Sequence, residues 1–132
     1  MYFPYFRGKR FELAMLKDTR DLINASEKII PIIEPVKKKL NDLQSMLNNF
    51  QETKTPVIVI VNPRVGELLG ADNSELRILI KESCEKNENL YVAFILGENI
   101  QFHDVQQFMN EFGQNNKVLI HTHSVENPQE IK

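Results

Sequence analysis

The sequence has a single cysteine, no long apolar run, little net charge and no glycine-rich phosphate-binding turn, and each scarcity excludes something. Cys84 stands alone, which rules out an intramolecular disulfide and any zinc site built from several cysteines, and agrees with a reducing compartment. It falls on the apolar stripe of an expected helix, where a small buried hydrophobe is expected rather than a nucleophile. The longest apolar stretches, Val57–Val61 and Leu90–Leu96, fall far below the roughly 18–20 residues needed to cross a bilayer. The N-terminus lacks a signal-peptide core, so a cytoplasmic location is expected. A formal charge of −2 gives no general attraction to nucleic acid or to an anionic membrane. No dinucleotide fingerprint, phosphate loop, nucleophile motif or metalloprotease helix occurs, and no cofactor is called for.

What is present is an ordinary globular composition in 132 residues, with 42% hydrophobic and 26% charged side chains. That length implies one domain over residues 1–132, its end, 125–132, polar and frayed. An irregular first strand, Tyr2–Phe6, contains Pro4 and runs into the basic turn Arg7-Gly8-Lys9-Arg10, followed by a helix over Phe11–Ile23. Gly8 reads as the pivot of that turn, which is either a plain solvated turn or a place where side chains and freed amides hold an anion. Ile29–Ile33 reads as a strand buried on both faces, ended by Glu34-Pro35. From Val36, the positions Val36, Leu40, Leu43, Leu47 and Phe50 predict an amphipathic helix with Lys37, Lys38 and Lys39 in its first turn. Val57–Val61 is a run of β-branched residues without alternation, the mark of an interior parallel strand, closed by Asn62-Pro63-Arg64. After a loop, Asp72 or Ser74 caps a third helix. Leu90–Leu96 forms a fourth strand with the exit Gly97-Glu98-Asn99. A fourth helix turns Phe102, Val105, Phe108, Met109 and Phe112 inward, and Lys117–Ile120 forms a fifth strand ending at His121-Thr122-His123.

Strand and helix alternate through five strands and four helices, which implies an α/β fold of repeated βα units with mostly parallel strands and right-handed crossovers. Two arrangements compete: about half of a TIM-type (β/α)8 barrel, or an open doubly wound five-stranded sheet. The barrel reading is preferred, because every strand ends in a polar group and no helix is expected after the fifth strand.

Tyr2-Phe3-Pro4-Tyr5-Phe6-Arg7-Gly8-Lys9, Glu12-Leu13 and Ile29-Ile30-Pro31-Ile32-Ile33-Glu34-Pro35 closely resemble the opening of the bacterial and phage "beta protein" family. The likeness covers the first 35 residues, and Asn62-Pro63-Arg64 is similar in style. The resemblance implies a barrel-type α/β fold and an association with prophages and defence islands. It carries no reaction with it.

Parallel strands share a direction, so their exits would gather Arg7, Lys9, Glu34, Asn62, Arg64, Glu98, His121 and His123 around one mouth. Arg7, Lys9 and Arg64 would hold an anionic group, with Glu34 or His121 as the candidate proton carriers. His121 and His123 alternate across the strand, so a joint metal site is not expected. Glu34 could instead only neutralise Arg7 or Arg64, and Asn62-Pro63 could only shape a turn. Two functions follow. One is an interaction or ligand-binding module that assembles with itself or with a separate chain through open strand edges. The other is a small enzyme acting on a phosphorylated or nucleotide-like ligand. The first is preferred, and nucleic-acid binding ranks third.

Overall fold

A computed structural model describes residues 1–68, 73–97 and 100–121. Five strands, β1 (Tyr5–Arg7), β2 (Ile32–Glu34), β3 (Val57–Ile60), β4 (Leu90–Leu96) and β5 (Asn116–His121), alternate with four helices. The helices are α1 (Arg10–Ser26), α2 (Asn41–Glu52), α3 (Ser74–Lys86) and α4 (Phe102–Glu111). Every strand pairs parallel to its sequence neighbour, in the order β1-β2-β3-β4-β5. Four β-branched residues in a row make β3, and all four are buried because this strand lies in the middle of the sheet.

Pro4, Pro31 and Pro56 each stand immediately before a strand, at β1, β2 and β3 respectively. At that position a proline's missing amide removes no bond from the strand that follows, although pairing with the β2 segment resumes below Pro4 at Tyr2. The Pro31 carbonyl still accepts the Ile58 amide at 2.9 Å, so the connection to β3 begins at the proline itself.

The two faces of the sheet differ. On one, Ile33, Val57, Val59, Leu90, Val92 and Phe94 meet the apolar stripes of all four helices. Leu13 and Leu16 come from α1, Met46 and Phe50 from α2, Leu76 and Ile80 from α3, and Phe108 from α4. The Phe94 and Phe108 rings stack at 5.0 Å between centroids. Burial of each such large side chain contributes about 1.5–3 kcal/mol, so this layer is the main source of stability.

The opposite face carries Ile58, Ile60, Ala93 and Ile95 at its centre and the partly exposed Ile30, Ile32, Tyr91, Val118 and Ile120 around them. Among the described residues no helix covers it. The expectation of repeated βα units around a parallel sheet is met. The sheet is open and does not close into a barrel, while its sequential strand order and one-sided helix layer are those of successive units wound in one sense.

Two local expectations are corrected. Helix α2 starts at Asn41, not Val36, so Lys37–Lys39 precede it. The Val36 carbonyl accepts the Glu67 amide at 2.8 Å, and the Lys38 amide donates to Glu67 Oε1 at 2.9 Å, which ties this segment to the loop after β3. On α4, Phe108 and the following Phe112 are buried and Val105 packs against them. Phe102 and Met109, however, are 77% and 41% exposed, so only part of the predicted stripe is buried. The expected cap Asp72 lies outside the described residues; Asn73 occupies the cap position of α3.

Candidate functional site

Parallel pairing sends all strand exits to one edge of the sheet, and the register fixes which of the polar residues there share a face. Arg7 pairs with Glu34 across β1 and β2, and Tyr5 with Ile32. Ile32 in turn pairs with Ile58. Side chains alternate along a strand, so Tyr5, Arg7 and Glu34 all lie on the face without helices.

Glu34 is the centre of this group and is only 2% exposed. Its Oε1 accepts the Tyr5 hydroxyl and its Oε2 accepts the Arg64 backbone amide at 2.6 Å. The carboxylate thereby joins β1, β2 and the segment leaving β3, each oxygen holding one donor. Neither the Arg7 nor the Arg64 guanidinium forms an ion pair with it, so the neutralising pair suggested by the sequence is replaced by a hydroxyl and an amide. Burial is the main cause holding the Tyr5 phenol above its ordinary range, with the hydrogen bond and the charge of Glu34 adding to it and Arg7 opposing. Tyr5 was not among the residues singled out from sequence; the signal was its position two before Arg7, which puts both side chains on one face of the strand.

The amides expected to line an anion cradle around Gly8 are engaged within the chain. The Gly8 amide donates to the Glu34 carbonyl at 2.8 Å, and the Lys9 amide donates to the Arg7 carbonyl at 2.7 Å. Arg7 and Lys9 are exposed. Arg64 reaches sideways to the exit of β4, where a methyl added at Gly97 would overlap its guanidinium. A side chain at position 97 would require only that the flexible end of Arg64 swing aside.

Asn62 works as main chain. Its Nδ2 donates to the Ile95 carbonyl at 3.1 Å and its Oδ1 accepts the Ile95 amide at 2.8 Å, so one side chain prolongs the β3–β4 ladder past the end of β3. His121 ends β5 opposite Leu96, on the face that carries the helices. It is three strands from Glu34, roughly 14 Å at the usual strand spacing, and so the two candidate proton carriers do not meet. Glu98 and His123 lie outside the described residues.

A cleft of about 550 Å³, not foreshadowed by any motif, opens between α3 and α4, with Phe94 and Phe108 at its base and Asn62, Asn73, Arg77 and Asp104 around it. Its charges are largely matched internally: Glu111 bridges the cleft to Arg77 at 3.2 Å and to Lys81 at 3.1 Å. Burial, aided by Glu85, pushes the Cys84 thiol up to about 11, which keeps it protonated at neutral pH. Among the described residues no three metal-ligating side chains converge, and no helix is long and apolar enough to cross a membrane.

Comparison with known proteins finds no match among family profiles, curated proteins or solved structures.

Proposed function

We propose that this chain is a cytoplasmic protein-interaction module of a phage, prophage or defence-associated family, acting by assembly with itself or with a partner chain. The observation that carries this reading is the sheet face opposite the helices, where Ile30, Ile32, Tyr91, Val118 and Ile120 remain partly exposed around a buried isoleucine centre. Partly exposed apolar side chains gathered on one face of a sheet are what interfaces are made of. That face is bordered by strands whose outer edges pair with nothing among the described residues, and unpaired edges are templates for further strands. The phage and defence setting rests on the likeness of the first 35 residues to the beta protein family.

The enzyme reading has less behind it. Both oxygens of Glu34 are already engaged in a buried site, and His121 stands on the other face of the sheet. Light scattering on the purified chain tests the assembly reading: a complex of more than one chain is expected, and a stable protein that stays monomeric at every concentration overturns it.

A further inference from the structure

The two outer strands of the sheet are complementary, which bears on what the assembling partner is. The inference rests on the reading of the chain as an assembling module. In β1 and the residues before it, the groups bonded to β2 belong to even-numbered residues: Ile30 and Ile32 donate to the carbonyls of Tyr2 and Pro4, and the Gly8 amide donates to Glu34. Main-chain groups alternate sides along a strand, so those of Phe3 and Tyr5 point out of the sheet. In β4, Ala93 and Ile95 bond towards β3, which leaves Val92 and Phe94 to bond β5. With Val92 opposite Lys117 and Phe94 opposite Leu119, the β5 groups that turn inward are those of Val118 and Ile120, and those of Leu119 point out.

Sides of the sheet agree with this pattern. The outward groups of β1 come from residues whose side chains lie on the helix-free face, as Tyr5 does. The outward group of β5 comes from Leu119, which shares the helix-bearing face with Phe94 and is 45% exposed. At each of the four existing seams, a helix-free-face residue of the later strand bonds back towards the earlier one. A parallel seam from β5 of one molecule to β1 of another repeats that pattern, setting Tyr5 opposite Val118 with their side chains on one face.

We propose that the partner is a second copy of this chain, joined head to tail by β5 of each molecule pairing in parallel with β1 of the other. A two-fold rotation makes both seams at once. Five strands from each copy then form a ring of ten, with all helices outside and the two helix-free isoleucine faces enclosed together.

Proline substitution tests the seam from each side, because it removes an outward donor without touching an inward one. Leu119→Pro and Phe3→Pro should each leave the circular dichroism of the chain unchanged. Each should weaken dimerisation by at least roughly tenfold, equivalent to the loss of about 1.4 kcal/mol. Dissociation is read by light scattering across a concentration series. A seam between two β1 strands would respond only to Phe3→Pro and one between two β5 strands only to Leu119→Pro, so either one-sided result overturns the head-to-tail pairing. An assembled wild type with both variants equally assembled overturns it as well, while leaving assembly itself intact. A monomeric wild type overturns both readings. Hydrogen exchange on the unsubstituted protein gives the same answer without a variant. The amides of Tyr5 and Leu119 should be protected in concentrated solution and lose that protection on dilution; exchange at the unprotected rate in the assembled protein overturns the seam.

Discussion

Replacing Glu34 by alanine separates a carboxylate that holds the fold together from one kept for a ligand, because the two roles predict opposite signs. The side chain is 2% exposed and each oxygen accepts one hydrogen bond. Loss of a charged acceptor strands the Arg64 amide in a partly buried position, at about 1.5–3 kcal/mol. The Tyr5 residue is 46% exposed, so its hydroxyl regains water and that bond is worth only about 0.5–1 kcal/mol. The sum is a destabilisation of about 2–4 kcal/mol for Glu34→Ala. Glutamine should cost less, about 1 kcal/mol, since its carbonyl can keep the Arg64 amide while its NH2 meets the Tyr5 oxygen. Urea unfolding followed by circular dichroism measures both. A carboxylate held in place for binding is commonly a liability to the fold, and its removal then raises stability. An alanine variant as stable as the wild type, or more so, would refute the argument that Glu34 acts as a strut.

Three other outcomes follow from the same geometry. The folded-state pKa of Tyr5 is raised above that of a free phenol, so the neutral form is favoured by folding and its contribution is complete below about pH 10. That contribution is lost as pH rises from there through the folded value; Tyr5→Phe should flatten the alkaline fall in melting temperature, and an unchanged profile would count against the pairing with Glu34. Asn62→Ala leaves the Ile95 amide and carbonyl without partners and should cost about 1–3 kcal/mol in urea unfolding, whereas a change under about 0.5 kcal/mol would show that water replaces the side chain. Gly66 has φ of +83°, and a methyl there would come within 2.6 Å of the Val36 Cβ and 2.8 Å of its carbonyl oxygen. Gly66→Ala should therefore lower stability by more than the roughly 1 kcal/mol of left-handed strain alone, and a fully stable variant would mean that the Val36 segment moves freely.

Regular elements were readable where local chemistry decides them. The β-branched run Val57–Ile60 could only be an interior strand, and the Leu43, Leu47 and Phe50 stripe could only be one buried helix face. Where a long-range bond competes with the local pattern, sequence misleads. Val36 fits the spacing of α2 and yet lies outside it, because its carbonyl is taken by Glu67 from a later loop. Phe102 fits the stripe of α4 and yet is exposed, since a periodic pattern cannot tell how much of a stripe is covered. The site was half legible. That Glu34 ends a strand could be read from the sequence; that its partners are the Tyr5 hydroxyl and the Arg64 amide could not, because they are brought there by register. Asn62 reads as a turn residue, and only the neighbouring strand reveals that its amide imitates a peptide group.

Pro31 and Pro56 also constrain how the sheet can go wrong. A parallel strand that slips by two residues keeps every side chain on its proper face, so hydrophobic patterning alone does not forbid the error. A slip that draws the chain upward would bring an imide nitrogen into the ladder, where it has no proton to offer. At β2 and β3 the chain thus carries a mechanical stop at the lower rim, whereas the β1–β2 pairing already continues below Pro4 through Tyr2. With slippage in that direction blocked at one end, the exposed Arg7 side chain at the opposite rim is not needed to set register and can change without shifting the strands below.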